Sequence, residues 1–137
     1  MSEQVFISIQ TIQSIDTDEE IIKMDTVGFY SVEELTHILC YDETLEKGGC
    51  ARNKLTITPQ MMRLRRCIGG KMIKMDFMQG ETTETNYVTP IGVLPMQIKT
   101  IEYQLMLSER YNRLHIVYEL FFNGTPVSTN RMSLEWK

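Results

Sequence analysis

Apolar and polar side chains alternate with a period of two along most of this chain, the signature of strands with one buried face. Val5, Ile7 and Ile9 share one face of the first run, which ends at the acidic turn Asp16-Thr17-Asp18-Glu19. Ile22 and Met24 then hold one phase and Val27 and Phe29 the other, so the alternation slips by one residue near Asp25 and Thr26. Such a slip predicts a β-bulge or a sharp bend. The segment from Ser31 to Lys47 reads two ways. Ser31-Val32-Glu33-Glu34 has the form of a helix capping box with Val32, Leu35, Ile38 and Leu39 at helical spacing, yet Leu35, His37, Leu39 and Tyr41 also alternate. A strand, with at most a short turn over Ser31–Glu34, keeps the series of hairpins regular and is the expected form.

Beyond Gly48-Gly49 the strands are short and the turns tight. Leu55 and Ile57 mark one strand, and Thr58-Pro59-Gln60 turns into the next, where Leu64 and Arg66 share a face opposite Arg63 and Arg65. Gly69-Gly70 is a two-residue hairpin signal, and Ile73, Met75 and Phe77 follow on one side. Gln79-Gly80 turns into Thr83, Thr85 and Tyr87. Leu94, Met96 and Ile98 then give way to Ile101, Tyr103, Leu105 and Leu107 in the other phase, a second slip at Lys99-Thr100. Asn123-Gly124, the strongest hairpin turn in the chain, joins Leu114–Phe122 to a last strand with Met132, Leu134 and Trp136 inward. Consecutive hairpins of this kind close most economically as an all-β, up-and-down antiparallel barrel of about 8–10 strands, because closure removes exposed edges. A sandwich is the other arrangement of such strands.

At 137 residues and 42% hydrophobic content the chain suits one domain over residues 1–137 and excludes a disordered protein or a two-domain enzyme. No apolar run approaches the roughly 20 residues that span a bilayer, and no basic region precedes an apolar stretch at the N-terminus, so a soluble cytoplasmic protein without a membrane partner is expected. Cys40, Cys50 and Cys67 form no CxxC pair, which fits a reducing compartment and leaves neither a disulfide framework nor a metal site. The net charge of −4 hides a segregation. Residues 1–46 hold eleven acids against Lys23 alone, whereas residues 47–75 hold eight bases and no acid. Blocks of this kind either pair across neighbouring strands or steer partners.

Tyr87-Val88-Thr89-Pro90-Ile91-Gly92, preceded by the hairpin from Arg65 and Arg66 to Gly69-Gly70 and followed by the Asn123-Gly124 hairpin with Ser128-Thr129-Asn130, resembles the YwiB-like family of small bacterial proteins. The N-terminal run from Val5 to Gln13 and Tyr41-Asp42-Glu43 fit the same pattern. The resemblance implies a calycin-type barrel, the architecture of lipocalins and fatty-acid-binding proteins, and implies no particular activity.

Catalytic motifs are missing: there is no HExxH, GxSxG, P-loop or dinucleotide fingerprint, and no catalytic residue, cofactor or metal is expected. Arg66 is the sharper lead. If Leu64 and Ile68 face the interior, the two-residue period brings Arg66 inward, where a guanidinium needs an anion: Glu84 or another internal acid, or a ligand carboxylate. The expected activity is therefore non-enzymatic binding of a small apolar or carboxylate-bearing ligand, with Arg66 and Tyr87 as polar contacts and Met75, Phe77, Met96 and Tyr118 as walls. A second reading makes the basic strands, through Arg52, Lys54, Arg63 and Arg65, an outer surface for a protein or nucleic-acid partner. The net charge of −4 argues against nucleic acid, and a homodimer is compatible with either reading. Far-UV circular dichroism is expected to be β-dominated; a helical fraction above about a third, the average of globular proteins, would refute the barrel.

Overall fold

A computed structural model describes residues 2–46, 48–89 and 92–137. Ten strands follow one another: β1 Glu3–Ile15, β2 Asp18–Glu33, β3 Thr36–Thr44, β4 Cys50–Ile57, β5 Met61–Ile68, β6 Lys71–Met78, β7 Thr82–Thr89, β8 Gly92–Leu107, β9 Asn112–Phe122 and β10 Thr125–Trp136. They form one antiparallel sheet in the order β6-β5-β4-β3-β2-β1-β10-β9-β8-β7. This is a meander closed between its first and last strands, so the break in the ring falls between β6 and β7. No backbone ladder joins that pair among the described residues. Instead the Thr83 hydroxyl donates to the Asp76 carbonyl at 2.6 Å and the Thr85 hydroxyl to the Lys74 carbonyl at 2.7 Å. The barrel is thus nearly closed, and no described helix is long and apolar enough to cross a membrane.

Turn chemistry sits where the sequence puts it. Asn123 and Gly124 both adopt positive φ, 51° and 76°, the geometry of a type I′ hairpin turn. The part of the Ser31–Lys47 segment up to Thr44 is strand rather than helix: β2 runs to Glu33 and β3 spans Thr36–Thr44, with the chain reversing at Glu34-Leu35. Cross-strand pairing outweighs the helical spacing there. The slip at Lys99-Thr100 corresponds to a bulge between Thr100 and Glu102, after which Tyr103 and Leu105 take over the inward phase. The slip at Asp25-Thr26 does not exist. The β1–β2 register is unbroken from Glu3↔Tyr30 to Ile15↔Asp18, and Val27 and Phe29 point outward, 44% and 55% exposed. Thr26 and Gly28 hold the inner face instead, because Ile7 and the Cys40 carbonyl crowd the place where a side chain on residue 28 would go.

The two ends of the barrel differ. The lower end, bounded by the turns at residues 34–35, 58–60, 79–81 and 108–111, is solid: Trp136, Ile57, Leu39 and Leu114 are completely buried in it. Tyr103 spans the interior and donates to the Thr58 carbonyl at 2.6 Å. Tyr30 and His37 stack and meet through the hydroxyl and Nδ1 at 2.7 Å, with Trp136 edge-on to Tyr30. Burial pushes the His37 imidazole below its usual range and the Tyr30 and Tyr103 hydroxyls above theirs, so all three stay uncharged at neutral pH.

Gly28 is the tightest point of the wall. A Cβ there would come 2.5 Å from the Cys40 carbonyl oxygen and 2.6 Å from Ile7 Cδ1. Gly28→Ala should therefore destabilise the fold by about 1–3 kcal/mol, the usual cost of overpacking, and a shift of the urea midpoint measures it.

Candidate functional site

The upper half of the barrel is hollow. The alternation that fills the lower half with branched and aromatic residues supplies Met24, Met75 and Met132 higher up, and a cavity of about 450 Å³ remains. Met62, Phe77 and Leu134, all buried, form its floor. Leu64, Met75 and Tyr118 stand in its wall, and Phe77 meets Tyr118 edge-on with ring centroids 4.8 Å apart. Near the turns at residues 16–17 and 69–70, Ile22, Glu43, Arg66, Ile68 and Tyr87 make the rim.

The rim opens sideways because two neighbouring strands part company. β2 and β3 pair only from Phe29↔Cys40 to Glu33↔Thr36. Above that point Ile22 and Met24 on one side and Tyr41 and Glu43 on the other have no ladder between them, and all four line the cavity. A gap in the ladder at the hollow end is a way in.

Arg66 points inward between Leu64 and Ile68, and its anion is Glu43. Nη1 donates to Oε1 at 2.9 Å and Nη2 to Oε2 at 3.4 Å, a two-point fork. Glu84 is not the partner. It lies exposed on β7 between Thr83 and Thr85, and since those two hydroxyls reach across to β6, the residue between them must face away. Arg66 instead reaches diagonally over β4, where Ala51 faces Ile68 and Asn53 faces Arg66. Asn53 is 3% exposed with neither amide atom hydrogen-bonded among the described residues. Burial and the Glu43 carboxylate push the Tyr41 hydroxyl up to about 12, with Arg66 opposing. Tyr118 is pushed further up by burial and by Tyr87. The polar part of the cavity is therefore one internally neutral ion pair, the Tyr41 and Tyr118 phenols that burial keeps protonated, the Tyr87 hydroxyl and Thr11.

Five of the residues proposed from sequence come together here: Arg66, Tyr87, Met75, Phe77 and Tyr118 all line the cavity. Met96 does not; it is buried opposite Thr85, where β8 carries the inward phase before the bulge. Glu43 was the missing member; extending the Leu39-Tyr41 alternation by one step turns it inward, but its pairing with Arg66 depends on the strand arrangement. Of the basic residues, Arg52 and Lys54 are exposed on the outer face of β4 and Arg65 is half-buried beside them. Arg63 is not free: it donates twice to Asp76, at 2.8 and 3.2 Å. In the Thr89–Gly92 turn, Pro90 and Ile91 lie outside the described residues, as does Lys47 of the basic block. Among the described residues no three His, Cys, Asp or Glu side chains gather as metal ligands.

Residues 7–134 match the family described as Domain of unknown function (DUF1934). The uncharacterized beta-barrel protein YwiB of Bacillus subtilis (strain 168) is 21% identical over 133 residues, covering 97% of this chain and 92% of that protein. The crystal structure of the ywiB protein from Bacillus subtilis superposes with a TM-score of 0.85 at 20% identity, covering 99% of this chain and 92% of that one. The barrel is thus shared with a solved relative.

The Arg66–Glu43 pair keeps 29% and 27% of its side-chain surfaces exposed, so solvent weakens it. Arg66→Met should cost about 1 kcal/mol or less, Arg66→Met with Glu43→Leu should recover most of that loss, and Glu84→Gln should be silent. Denaturant melts of the three variants check this; a loss on changing Glu84 equal to that on changing Arg66 would contradict the pairing.

Proposed function

The chain belongs to the DUF1934 family, and we propose that in this member the hollow end of the barrel binds a small, largely apolar molecule without transforming it. The observation that carries this reading is the cavity: about 450 Å³, walled mainly by apolar side chains, with one ion pair at its rim. Pockets for small molecules have this size and this mixture, a mostly apolar lining and a few placed polar groups that orient the ligand. Flexible methionines in the wall suit ligands of varied shape. The calycin-type barrel implied by the sequence resemblance has the same use.

Arg66 sets the terms for the ligand's polar end. Its guanidinium already holds Glu43, so a ligand carboxylate has to take the place of Glu43, while a neutral head group lies against the intact pair. Tyr41 and Tyr87 line the same cavity and offer hydroxyl partners. A cytoplasmic setting fits this reading, since Cys40, Cys50 and Cys67 are free thiols, as a reducing compartment keeps them.

Two fluorescent probes test the proposal, neutral N-phenylnaphthylamine and anionic parinaric acid. At least one should brighten on binding the purified protein, and Leu64→Trp and Met132→Trp, which fill the cavity, should weaken that binding about tenfold or more (at least ~1.4 kcal/mol). Brightening that survives both substitutions, or no brightening with either probe, would remove the interior as the site. Arg66→Met then separates the ligand classes: it should weaken the anionic probe and spare the neutral one.

A further inference from the structure

The outer face of β4, β5 and β6 breaks a rule that the rest of the sheet keeps. Elsewhere charges of opposite sign face each other across strands: Arg113 opposite Glu135 forms an ion pair of 3.1 Å and Lys99 faces Glu119, and at the borders of this same face Arg63 pairs with Asp76 at 2.8 Å and Arg52 faces Asp42. Lys54, by contrast, faces Arg65, and Arg65 faces Lys74. None of these three makes an ion pair among the described residues. Like charges directly opposite one another on neighbouring strands repel, so the row is suited to negative charge brought from outside. Next to it runs a groove of about 500 Å³ in which Phe29 and Met72, 55% and 60% exposed, stand beside Lys54 and Arg65, with Arg52 and the Asp42 it faces at its side. A matching partner carries acids with apolar side chains immediately next to them.

This chain presents such a surface itself. At the tip of the β1–β2 hairpin Asp16, Asp18, Glu19 and Glu20 are all exposed and form no ion pair among the described residues. Ile15 and Ile21 flank them, 44% and 56% exposed. The tip stands at the upper rim of the barrel and the basic row on its outer wall, so the two do not meet within one copy. We propose that the acidic hairpin tip of one molecule docks on the basic β4–β6 face of a second, and the second returns the same contact, closing a two-fold dimer. Acids meet the cationic row, and the isoleucines meet Phe29 and Met72. A two-fold axis makes both contacts at once and leaves neither surface free to propagate a filament. This pairing stands apart from the cavity and holds whether or not the interior takes a ligand.

Two charge-reversal variants test it by sedimentation velocity over a range of concentrations and salt. One carries Lys54→Glu and Arg65→Glu, the other Asp18→Lys, Glu19→Lys and Glu20→Lys, which turns the four-acid tip net positive; Lys54 and the three tip positions are exposed and Arg65 is half-buried, and circular dichroism confirms that each variant folds. The wild type should dimerise at low salt and dissociate as salt rises, because screening weakens exposed charge pairs. Each variant alone should self-associate at least about tenfold more weakly, since its two surfaces now share a sign. Mixed together the two should form a one-to-one heterodimer, because the reversed face of one meets the reversed tip of the other and the remaining native tip and native face also match. A wild type that stays monomeric throughout, or a dimer that neither reversal disturbs, would overturn the proposal. So would a monomer whose basic face binds oligothymidylate, with binding lost on Lys54→Glu and Arg65→Glu, since that result hands the face to nucleic acid.

Discussion

Pairing between the two terminal strands governs the rest of this architecture. β1 and β10 match residue for residue from Ile7↔Trp136 to Ser14↔Thr129, and Phe6 and Lys137 extend the ladder by exchanging backbone hydrogen bonds of 2.8 and 3.0 Å. Without that contact the meander would fall into two sheets, β1 to β6 and β7 to β10, joined only by the threonine bonds between β6 and β7. With it the ring closes, and the one weak joint is displaced to β6 and β7, consecutive strands that two threonine hydroxyls hold together. The contact also brings Trp136 into the middle of the lower end, where it is completely buried. Joining residues this far apart in sequence carries a loop-closure cost, which the apolar burial around Trp136, Ile7 and Leu134 offsets.

Closure at the lower end and openness at the upper end follow from residue size along the same strands. Below, branched and aromatic side chains meet in the middle, and the Tyr103 hydroxyl ties one wall to the turn opposite. Above, methionines and Thr11 leave the centre empty, and the early end of β2 draws away from β3. A single alternating pattern thus yields a stable plug and a cavity. The Arg66–Glu43 pair sits at the boundary between that cavity and solvent, where partial hydration lets two charges persist that a dry interior would penalise.

The outer wall has its own logic. Acid and base blocks that look complementary along the sequence do not simply neutralise one another in the fold. Arg63 finds Asp76 and Arg66 finds Glu43, yet Lys54, Arg65 and Lys74 face each other, and the hairpin tip keeps its acids to itself. Charge that a sheet could have paired internally is left outside on two separate surfaces.

Strand identity, the position of most turns and the inward direction of Arg66 were legible in the sequence, because each rests on local rules: a two-residue period, glycine or asparagine at positive φ, and the alternation of faces. The bulge near Thr100 was legible for the same reason. The slip inferred at Asp25-Thr26 misled because apolar residues were assumed to face inward, whereas Val27 and Phe29 stand on the outer surface and a glycine is needed inside. Glu43 as the partner of Arg66, the exclusion of Met96 from the cavity and the gap between β2 and β3 were decided by the tertiary structure alone. Each depends on which strands lie side by side and on how side chains from opposite walls fill the space between them, and a period along one strand carries no information about either.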